Sequence, residues 1–551
     1  LPKKFDRNFF VASYVAGPGR CLIERFTLNP DGANFKLGEQ TTFLKGIALT
    51  DLDWGYDGKL YIADYGGGWT KSGKGNVYTL AEDSKLKSKG IAEVKNLFAN
   101  GIPSLKSDKL FELLAHPDQR VRQRAQFALA DHDLESPPLF AKAIQPNQPL
   151  MRRIHGIWGI GQLGQKNPSA LNSLARLIGD KEMEIRANLA RTLGNHGKHL
   201  APFRKALIAM LEDSSPRVAS LAAIALSNHG HQDAVEPAIK MLEKNDDNDV
   251  VVRHAGIMVL TKCAQFAPEW KYYDHRSTAV RRAIVIALRR HKSHLLETYF
   301  TDRDQSVRQE AIRAAYEMDV RKSYRALSNQ AHSIALKVSP EVKWHPLTAR
   351  RAIFAAWVLG QAKDAEVIAK IAANPKIDFR VRKDALIALL EWNNPPVPDP
   401  VTGFARTLPK NRIKLDTSII KDLKGLIDGV DKNSIDLIPR ALILSEQDQI
   451  PLGELRLTRY LKNENFPEEA RVKSMKLLAS LKESNPIWPL TLQKLFADKS
   501  EKVRSMAREL LFKNDPKAAT AQPGHARTRE DATAHEQPLP PPPLARPTPP
   551  K

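Results

Sequence analysis

The stretch Asp304-Gln305-Ser306-Val307-Arg308-Gln309-Glu310-Ala311 decides the fold of this 551-residue chain, because variants of it recur along most of the length. Each variant has an acidic residue, a few polar positions, a Val or Ile followed by Arg, and an Ala shortly afterwards. The copies are Asp118…Val121-Arg122…Ala125, Asp180…Ile185-Arg186…Ala190, Asp249…Val252-Arg253-His254-Ala255, Asp304…Val307-Arg308…Ala311, Val381-Arg382…Ala385 and Asp498…Val503-Arg504…Ala507. Neighbouring copies, including looser ones, lie roughly 27 to 36 residues apart, a spacing typical of helical repeat arrays.

Between residues 107 and 515, apolar residues recur at the spacing of helices, with frequent loops between them. A single unit of this kind cannot bury its own apolar face, so the units must stack on one another. We therefore predict a mainly α fold, an α-α superhelix (solenoid) of the HEAT type. Such a solenoid presents surface and performs no chemistry of its own.

The recurring acidic and arginine residues are interpreted as a structural ladder. We expect each acidic residue to cap the second helix of a pair, and each Arg to reach the acidic residue of the adjacent repeat. The Val or Ile and the later Ala face inward and are small enough to let helices approach. The residues of this ladder are Asp118, Arg122, Asp180, Arg186, Asp249, Arg253, Asp304, Arg308, Arg382, Asp498 and Arg504.

Changes in composition divide the chain into five segments. Residues 1–100 contain short aromatic and branched runs between turn clusters, which predicts about six strands. These strands form either a small sheet docked on the helices or the last blades of a β-propeller, and we favour the propeller. The helical repeats of 107–392 and 413–515 are separated by a proline-rich interruption at 393–412, and a disordered proline-rich tail follows at 516–551.

Composition limits the classes of function. The 84 basic and 62 acidic residues give a formal charge of +22, which attracts anionic partners without selecting nucleic acid. Cys21 and Cys263 are the only cysteines, so a disulfide framework and a zinc site of several thiolates are excluded. Without an apolar run long enough for a bilayer, we predict no membrane span. The chain opens at Leu1 without a methionine, and we expect an upstream portion.

Two groups of residues are candidate binding sites, and no catalytic motif accompanies them. Asp51, Asp53, Asp57 and Asp64 surround a predicted hairpin and could supply oxygen ligands to calcium. Because calcium needs six or more oxygens, turn chemistry is the favoured explanation, and no metal is expected.

The second group lies on one side of a predicted helix, residues 279–290. Its members, Arg281, Arg282, Arg289 and Arg290, are candidates for binding anions such as a phosphate backbone. The alternative is a solvated helix face in a basic protein, since charge runs are usually exposed to solvent.

Strands followed directly by helical repeats are also the domain order of a known group of proteins. The segment Asp51-Leu52-Asp53-Trp54-Gly55-Tyr56-Asp57-Gly58-Lys59-Leu60-Tyr61-Ile62-Ala63-Asp64-Tyr65-Gly66-Gly67-Gly68 resembles that of large planctomycete and verrucomicrobial-type proteins often called membrane-bound dehydrogenases or haem-binding domain proteins. In that family a propeller similar to that of soluble sugar dehydrogenases leads into a HEAT array, and a C-type cytochrome domain follows. The resemblance implies export to the periplasm, with haem c and a quinone cofactor in the complete parent protein.

This chain departs from the family where haem would attach. It contains no Cys-x-x-Cys-His motif, and the proline-rich tail stands where the cytochrome would begin. We therefore expect a non-catalytic scaffold that binds protein partners, as part of a larger exported redox protein, with no cofactor on this chain. The alternatives are a HEAT-like nucleic-acid-binding protein with a basic concave face, and quinone-dependent sugar dehydrogenase activity in the complete parent protein.

Overall fold

A computed structural model shows an antiparallel β region followed by an array of paired helices. The structure describes residues 5, 7–15, 17–66, 73–132, 135–336, 344–415, 437, 442–443, 454–481 and 488–514. The predicted tail at 516–551 and most of residues 416–453 lie outside the described residues, as do Gly67 and Gly68.

Six strands form two three-stranded antiparallel sheets, ordered β1-β2-β3 and β4-β5-β6, which confirms the strand prediction. The strands are β1 (Asn8–Ser13), β2 (Leu22–Asp31), β3 (Asn34–Lys45), β4 (Leu49–Trp54), β5 (Leu60–Asp64) and β6 (Asn76–Leu80). Both sheets contribute to one small core, in which Ile23, Leu49, Leu60 and Ile62 are buried. The predicted hairpin turn joins β4 to β5, and Gly58 adopts its required positive φ of 82°. The propeller origin of the sheets stays a prediction.

Helices make up most of the rest of the described chain. The helices up to residue 263 are α1 (Asp83–Leu86), α2 (Lys89–Asn100), α3 (Ser107–Leu113), α4 (Gln119–Ala130), α5 (Ser136–Ala143), α6 (Leu150–Lys166), α7 (Met183–Gly194), α8 (Arg204–Ala209), α9 (Pro216–His229), α10 (Val235–Asn245) and α11 (Val250–Cys263). Those that follow are α12 (Thr278–Arg290), α13 (Gln305–Glu317), α14 (Tyr324–Leu336), α15 (Pro346–Leu359), α16 (Ala362–Ala373), α17 (Phe379–Leu390), α18 (Glu454–Lys462), α19 (Glu468–Leu481), α20 (Trp488–Lys494) and α21 (Glu501–Asn514). Short 3-10 helices, such as Pro168–Leu177 and His294–Tyr299, take the place of the first helix in some pairs.

The recurring stretch lies at the start of second helices, and three of its acidic residues, Asp118, Asp249 and Asp304, cap them as predicted. Asp180 and Asp498 do not cap, because each lies earlier in the turn and accepts from the amide two residues ahead, before the helix begins. The Asp118 side chain accepts from the backbone of Arg120, and Asp304 accepts from Ser306 and Val307, so both residues cap their helices. Val307 and Ala311 are fully buried between helices. Successive second helices pack on one another, for example α7 on α9 and α9 on α11, which gives a repeat solenoid of the HEAT type.

The chain divides into two compact units. The first contains residues Leu1–Leu359 and Val397–Lys410, and the second contains Gly360–Pro396 and Asn411–Lys551. The predicted interruption at 393–412 is therefore not a single linker. Its central part, Val397–Lys410, belongs to the first unit and is called the strap below.

The strap is held by buried polar groups. The Tyr316 hydroxyl donates to Asp399 Oδ2 at 2.7 Å, and Arg406 Nε lies 3.2 Å from the same oxygen. Arg406 also lies over the Tyr316 ring, 4.3 Å from its centroid. Asp399 Oδ1 closes the turn of the strap by accepting from the Thr402 amide at 2.8 Å. Composition alone predicted an interruption of the helical array here. It could not indicate these buried contacts, because the partners lie far away in sequence.

Candidate interaction surface

Arginines link consecutive repeats of the solenoid through carboxylates. Arg186 donates to both oxygens of Asp213, at 2.7 and 2.9 Å, across 27 residues of sequence. Arg281 also donates to both oxygens of an aspartate, Asp302, which lies 21 residues ahead, at 2.8 and 3.1 Å. Each such aspartate also accepts from the backbone two residues ahead, as Asp213 does from Ser215. One carboxylate therefore joins the preceding repeat to the turn that starts its own second helix.

The electrostatics of Asp213 follow from this geometry. Burial raises the pKa of its carboxyl, but the hydrogen bonds from Arg186 and from the Ser215 amide outweigh burial and lower the pKa below its ordinary value. The charged form is therefore the one that the repeat interface stabilises.

Sequence reasoning missed two arginines of this ladder. Arg153 pairs with Asp180, and Arg471 pairs with Asp498, each across 27 residues. Both arginines are almost completely buried. Neither lies in a recognised copy of the recurring stretch. The signal that could have found them is the constant separation in sequence, 27 residues, between each arginine and its aspartate.

The arginines of the recurring stretch bind the loop within their own repeat. In the described residues, Arg122 and Arg308 do so without the predicted contact to an acidic residue of the adjacent repeat. Arg122 donates to the carbonyls of His116 and Pro117, and Arg504 donates to those of Asp498 and Lys499. Arg308 binds the Asp302 carbonyl, and the buried Arg382 binds that of Ala372 at 3.1 Å. Arg253 lies 3.6 Å from Asp247. These bonds satisfy carbonyls at the ends of first helices and in the turns that follow them.

The predicted anion-binding arginines do not form a common open face. Arg281 is 1% exposed and belongs to the ladder, and Arg282 pairs with Asp247. Arg289 lies 3.4 Å from Glu310 and 3.9 Å from Glu317. Arg290, at the end of α12, is exposed. The repeat interfaces therefore supply carboxylates to three of these four guanidinium groups.

Arg289 belongs to a larger charged cluster on three consecutive second helices, α12, α13 and α15. Glu317 lies at its centre and accepts from Arg351 at 2.5 Å. Arg313 lies 3.5 Å from Glu310 and 3.7 Å from Glu317. Alternating charges on this part of the solenoid neutralise one another, so they do not form a single-sign patch.

The four aspartates around the β4–β5 hairpin bind their own backbone or near neighbours. Asp51 and Asp53 each accept from the next amide, and Asp57 accepts from the Lys59 amide and the Tyr61 hydroxyl. Asp64 accepts from the Gly66 amide and from Asn76. Within the described residues no group of three or more His, Cys, Asp or Glu is placed to hold a metal ion.

Two aromatic side chains are exposed on α4 and α6, second helices that pack against each other, and together they are called the aromatic surface. They are Phe127 on α4 and Trp158 on α6, which are 44% and 36% exposed. The Trp158 indole nitrogen donates to Asn188 Oδ1 on α7 at 3.1 Å, and Asn188 donates in turn to the Glu184 carbonyl at 2.7 Å. The indole is therefore fixed in orientation while a third of it faces solvent.

A buried polar network lies beneath the aromatic surface and contacts Trp158. His155 Nδ1 lies 2.8 Å from Gln126 Oε1, and Arg122 donates to His155 Nε2 at 3.2 Å. The imidazole contacts the Trp158 ring edge to face, with centroids 4.9 Å apart. Burial, with the adjacent Arg122 charge, lowers the pKa of His155 to about 4. The ring is therefore neutral near pH 7, donating through Nδ1 and accepting at Nε2.

The two cysteines do not fit covalent haem attachment, which needs two nearby thiols and a histidine. Cys21 is buried in the β region and Cys263 is buried in α11. Burial raises the pKa of the Cys263 thiol to about 11, so it is not a reactive thiolate. Over the described part of the chain, no helix combines the length and the apolar character needed to cross a bilayer.

Comparison with known proteins finds similarity among solved structures alone. No protein-family profile and no curated protein matches the chain. The CpcE–CpcF complex of phycocyanin lyase from Nostoc sp. PCC7120 is 21% identical, over 46% of this chain and 87% of that chain, with a TM-score of 0.23. Importin beta is 13% identical over 75% of this chain and 65% of that chain, with a TM-score of 0.37. A designed armadillo repeat protein is 17% identical over 39% of this chain and 99% of that chain, with a TM-score of 0.24.

Proposed function

We propose that this chain is a non-catalytic repeat scaffold that binds another protein through the aromatic surface of Phe127 and Trp158. The observation that carries the proposal is the Trp158 indole, which Asn188 holds in place while 36% of the residue is exposed. A side chain that is already ordered loses little conformational freedom when a partner covers it. Tryptophan is also among the residues that most often dominate the energy of protein interfaces.

Affinity capture followed by binding to the purified partner tests this function. Wild-type chain is compared with Trp158→Ala and Phe127→Ala, and with Phe512→Ala as a matched control, because Phe512 is a 60% exposed aromatic residue on α21. A partner of the aromatic surface should bind Trp158→Ala about 30-fold more weakly, the effect of a strong interface residue. It should bind the Phe512→Ala control like wild type. Equal affinity for wild type and Trp158→Ala would contradict the proposal.

We further propose that the scaffold works within a larger exported dehydrogenase–cytochrome-like protein. The support for this is the resemblance of the segment from Asp51 to Gly68 and the order of strands before repeats. In that setting the quinone and the haem would be held by parts other than this chain. Sequencing the gene on both sides tests the idea: propeller blades upstream and a Cys-x-x-Cys-His motif downstream are expected, and their absence contradicts it. The complete protein would then be assayed with quinone, sugars and a dye acceptor.

Binding to nucleic acid is the alternative, supported by the net charge of +22. The pairing of Arg281, Arg282 and Arg289 with carboxylates argues against α12 as the contact surface. Duplex DNA titrated at two salt concentrations decides between the proposals, since phosphate contacts give an affinity that falls steeply with salt. Absence of binding at low salt removes this alternative.

A further inference from the structure

Strand β6, Asn76–Leu80, is an edge strand without the usual protection against pairing. In the part of the chain that the structure describes, β5 is the strand that pairs with it. The sequence Asn-Val-Tyr-Thr-Leu contains no charge and no proline, and all five side chains are exposed. Edge strands normally carry charges or prolines that prevent pairing with other chains.

The other edge strands are protected. Strand β3 carries Lys36, Glu39 and Lys45, and β4 carries Asp51 and Asp53. Strand β1 is uncharged but packs against β4 of the second sheet.

One face of β6 continues the apolar core of its sheet. Leu80 lies directly opposite Leu60, and Tyr78 lies opposite Ile62. Directly opposed residues of an antiparallel pair point to the same side of the sheet. Leu60 and Ile62 are 0% and 1% exposed, whereas Leu80 and Tyr78 are 41% and 42% exposed. The apolar face of this sheet is therefore buried at β5 and exposed at β6.

We propose that β6 pairs antiparallel with β6 of a second copy of this chain, forming a continuous six-stranded sheet across a twofold axis at Tyr78. The strand is complementary to itself in this register. Tyr78 faces Tyr78 of the second copy, and Val77 faces Thr79, a pairing of β-branched side chains suited to strands. Lys74 before the strand and Glu82 after it occupy opposed positions in the same register. The unpaired backbone groups of the two edges satisfy each other.

Sedimentation equilibrium of the full chain over a range of concentrations tests whether the dimer exists. Wild type should show a monomer–dimer equilibrium. Tyr78→Lys places two positive charges face to face on the axis and should raise the dimer dissociation constant by at least about tenfold. Val11→Lys, at a 46% exposed position on β1, is the matched control and should dimerise like wild type. A chain that stays monomeric, or a dimer that tolerates Tyr78→Lys, overturns the proposal.

Cysteine cross-linking tests the register and does not depend on a charged variant folding. Mild copper phenanthroline oxidation should join two Tyr78→Cys chains, because directly opposed strand residues are close enough for a disulfide. Val77→Cys alone should not cross-link, whereas a mixture of Val77→Cys and Thr79→Cys chains should. The native cysteines, Cys21 and Cys263, are both buried and supply the background. Equal cross-linking at 77 and 78 overturns the twofold register.

Discussion

The Asp249 carboxylate binds the backbone amide of Ala33, 216 residues earlier in the chain, at 2.7 Å through Oδ2. Its other oxygen, Oδ1, caps α11 by accepting from the amides of Val251 and Val252 at 2.8 and 3.2 Å. The β2–β3 turn thus rests on the start of a second helix, and nearby Arg217 of α9 lies 6.0 Å from the Phe35 ring centroid. A residue that the recurring stretch assigns to helix capping also attaches the β region to the repeats.

Substitution of Asp249 should separate these two roles. Serine is a good helix cap but is too short to reach the turn, so Asp249→Ser should keep α11 and release Ala33. Asp249→Ala should lose both contacts, with the cap worth about 1 kcal/mol. Hydrogen exchange measures the outcome, as loss of protection at the Ala33 amide with α11 retained in the serine variant. Unchanged protection of Ala33 in Asp249→Ser would show that the contact does not hold the turn.

Gly32→Ala should also break the contact between the β2–β3 turn and Asp249. Gly32 has a φ of +60°, and an added Cβ would lie 2.3 Å from Asp249 Oδ2. Both the backbone strain and the clash therefore oppose the substitution. Gly17→Ala is the control, because an added Cβ at Gly17 meets no atom within 4 Å. Exchange at Ala33 should rise in the first variant and stay unchanged in the second.

Removal of Arg281 should destabilise the solenoid strongly. The Arg281 and Asp302 side chains are 1% and 6% exposed, so the loss of one leaves the other charge buried. Arg281→Ala should cost about 3 to 5 kcal/mol, as measured by denaturant unfolding of the repeats. Arg303→Ala is the control, since the pair of Arg303 with Asp274 is largely in solvent and should contribute little. Similar stabilities of the two variants would contradict a structural ladder.

Loss of Arg406 should free the strap from the first unit. Asp399 is fully buried at the side chain, and Arg406 is the cation beside it. Arg406→Ala leaves that carboxylate without its counter-charge and should expose the strap to limited proteolysis. Asp399→Ala removes the carboxylate that Arg406→Ala would leave unpaired. The double variant should therefore lose less stability than the two single losses added together. Strict additivity of the two substitutions would show that the pair does not act together.

Acid should weaken the packing beneath the aromatic surface. The pKa of His155 is about 4 in the folded chain and 6.5 ordinarily, so the unfolded chain binds more protons between these values. Stability therefore falls as pH decreases from about 6.5 towards 4, by about 3 kcal/mol from this residue. His155→Gln keeps a donor and an acceptor but cannot be charged. Thermal unfolding at pH 7 and pH 4.5 should show a smaller loss in this variant, and an equal loss would contradict the role of His155.

The sequence by itself determined that most of the described chain forms helices stacked as repeats. Helical spacing of apolar residues and capping by Asp304 act within a few residues of chain, so they can be read along it. The Asp57-Gly58 turn was predictable for the same reason, since it depends on the backbone preference of adjacent residues.

Tertiary structure decided which partner each charged side chain has. The arginines of α12 could have faced solvent as judged by spacing alone, but stacking of the next repeat places Asp302 beside Arg281. The contacts of Asp399 with Tyr316 and of Asp249 with Ala33 likewise join residues 83 and 216 positions apart. Buried charge must be paired, and only the packing of whole repeats determines which partner is within reach.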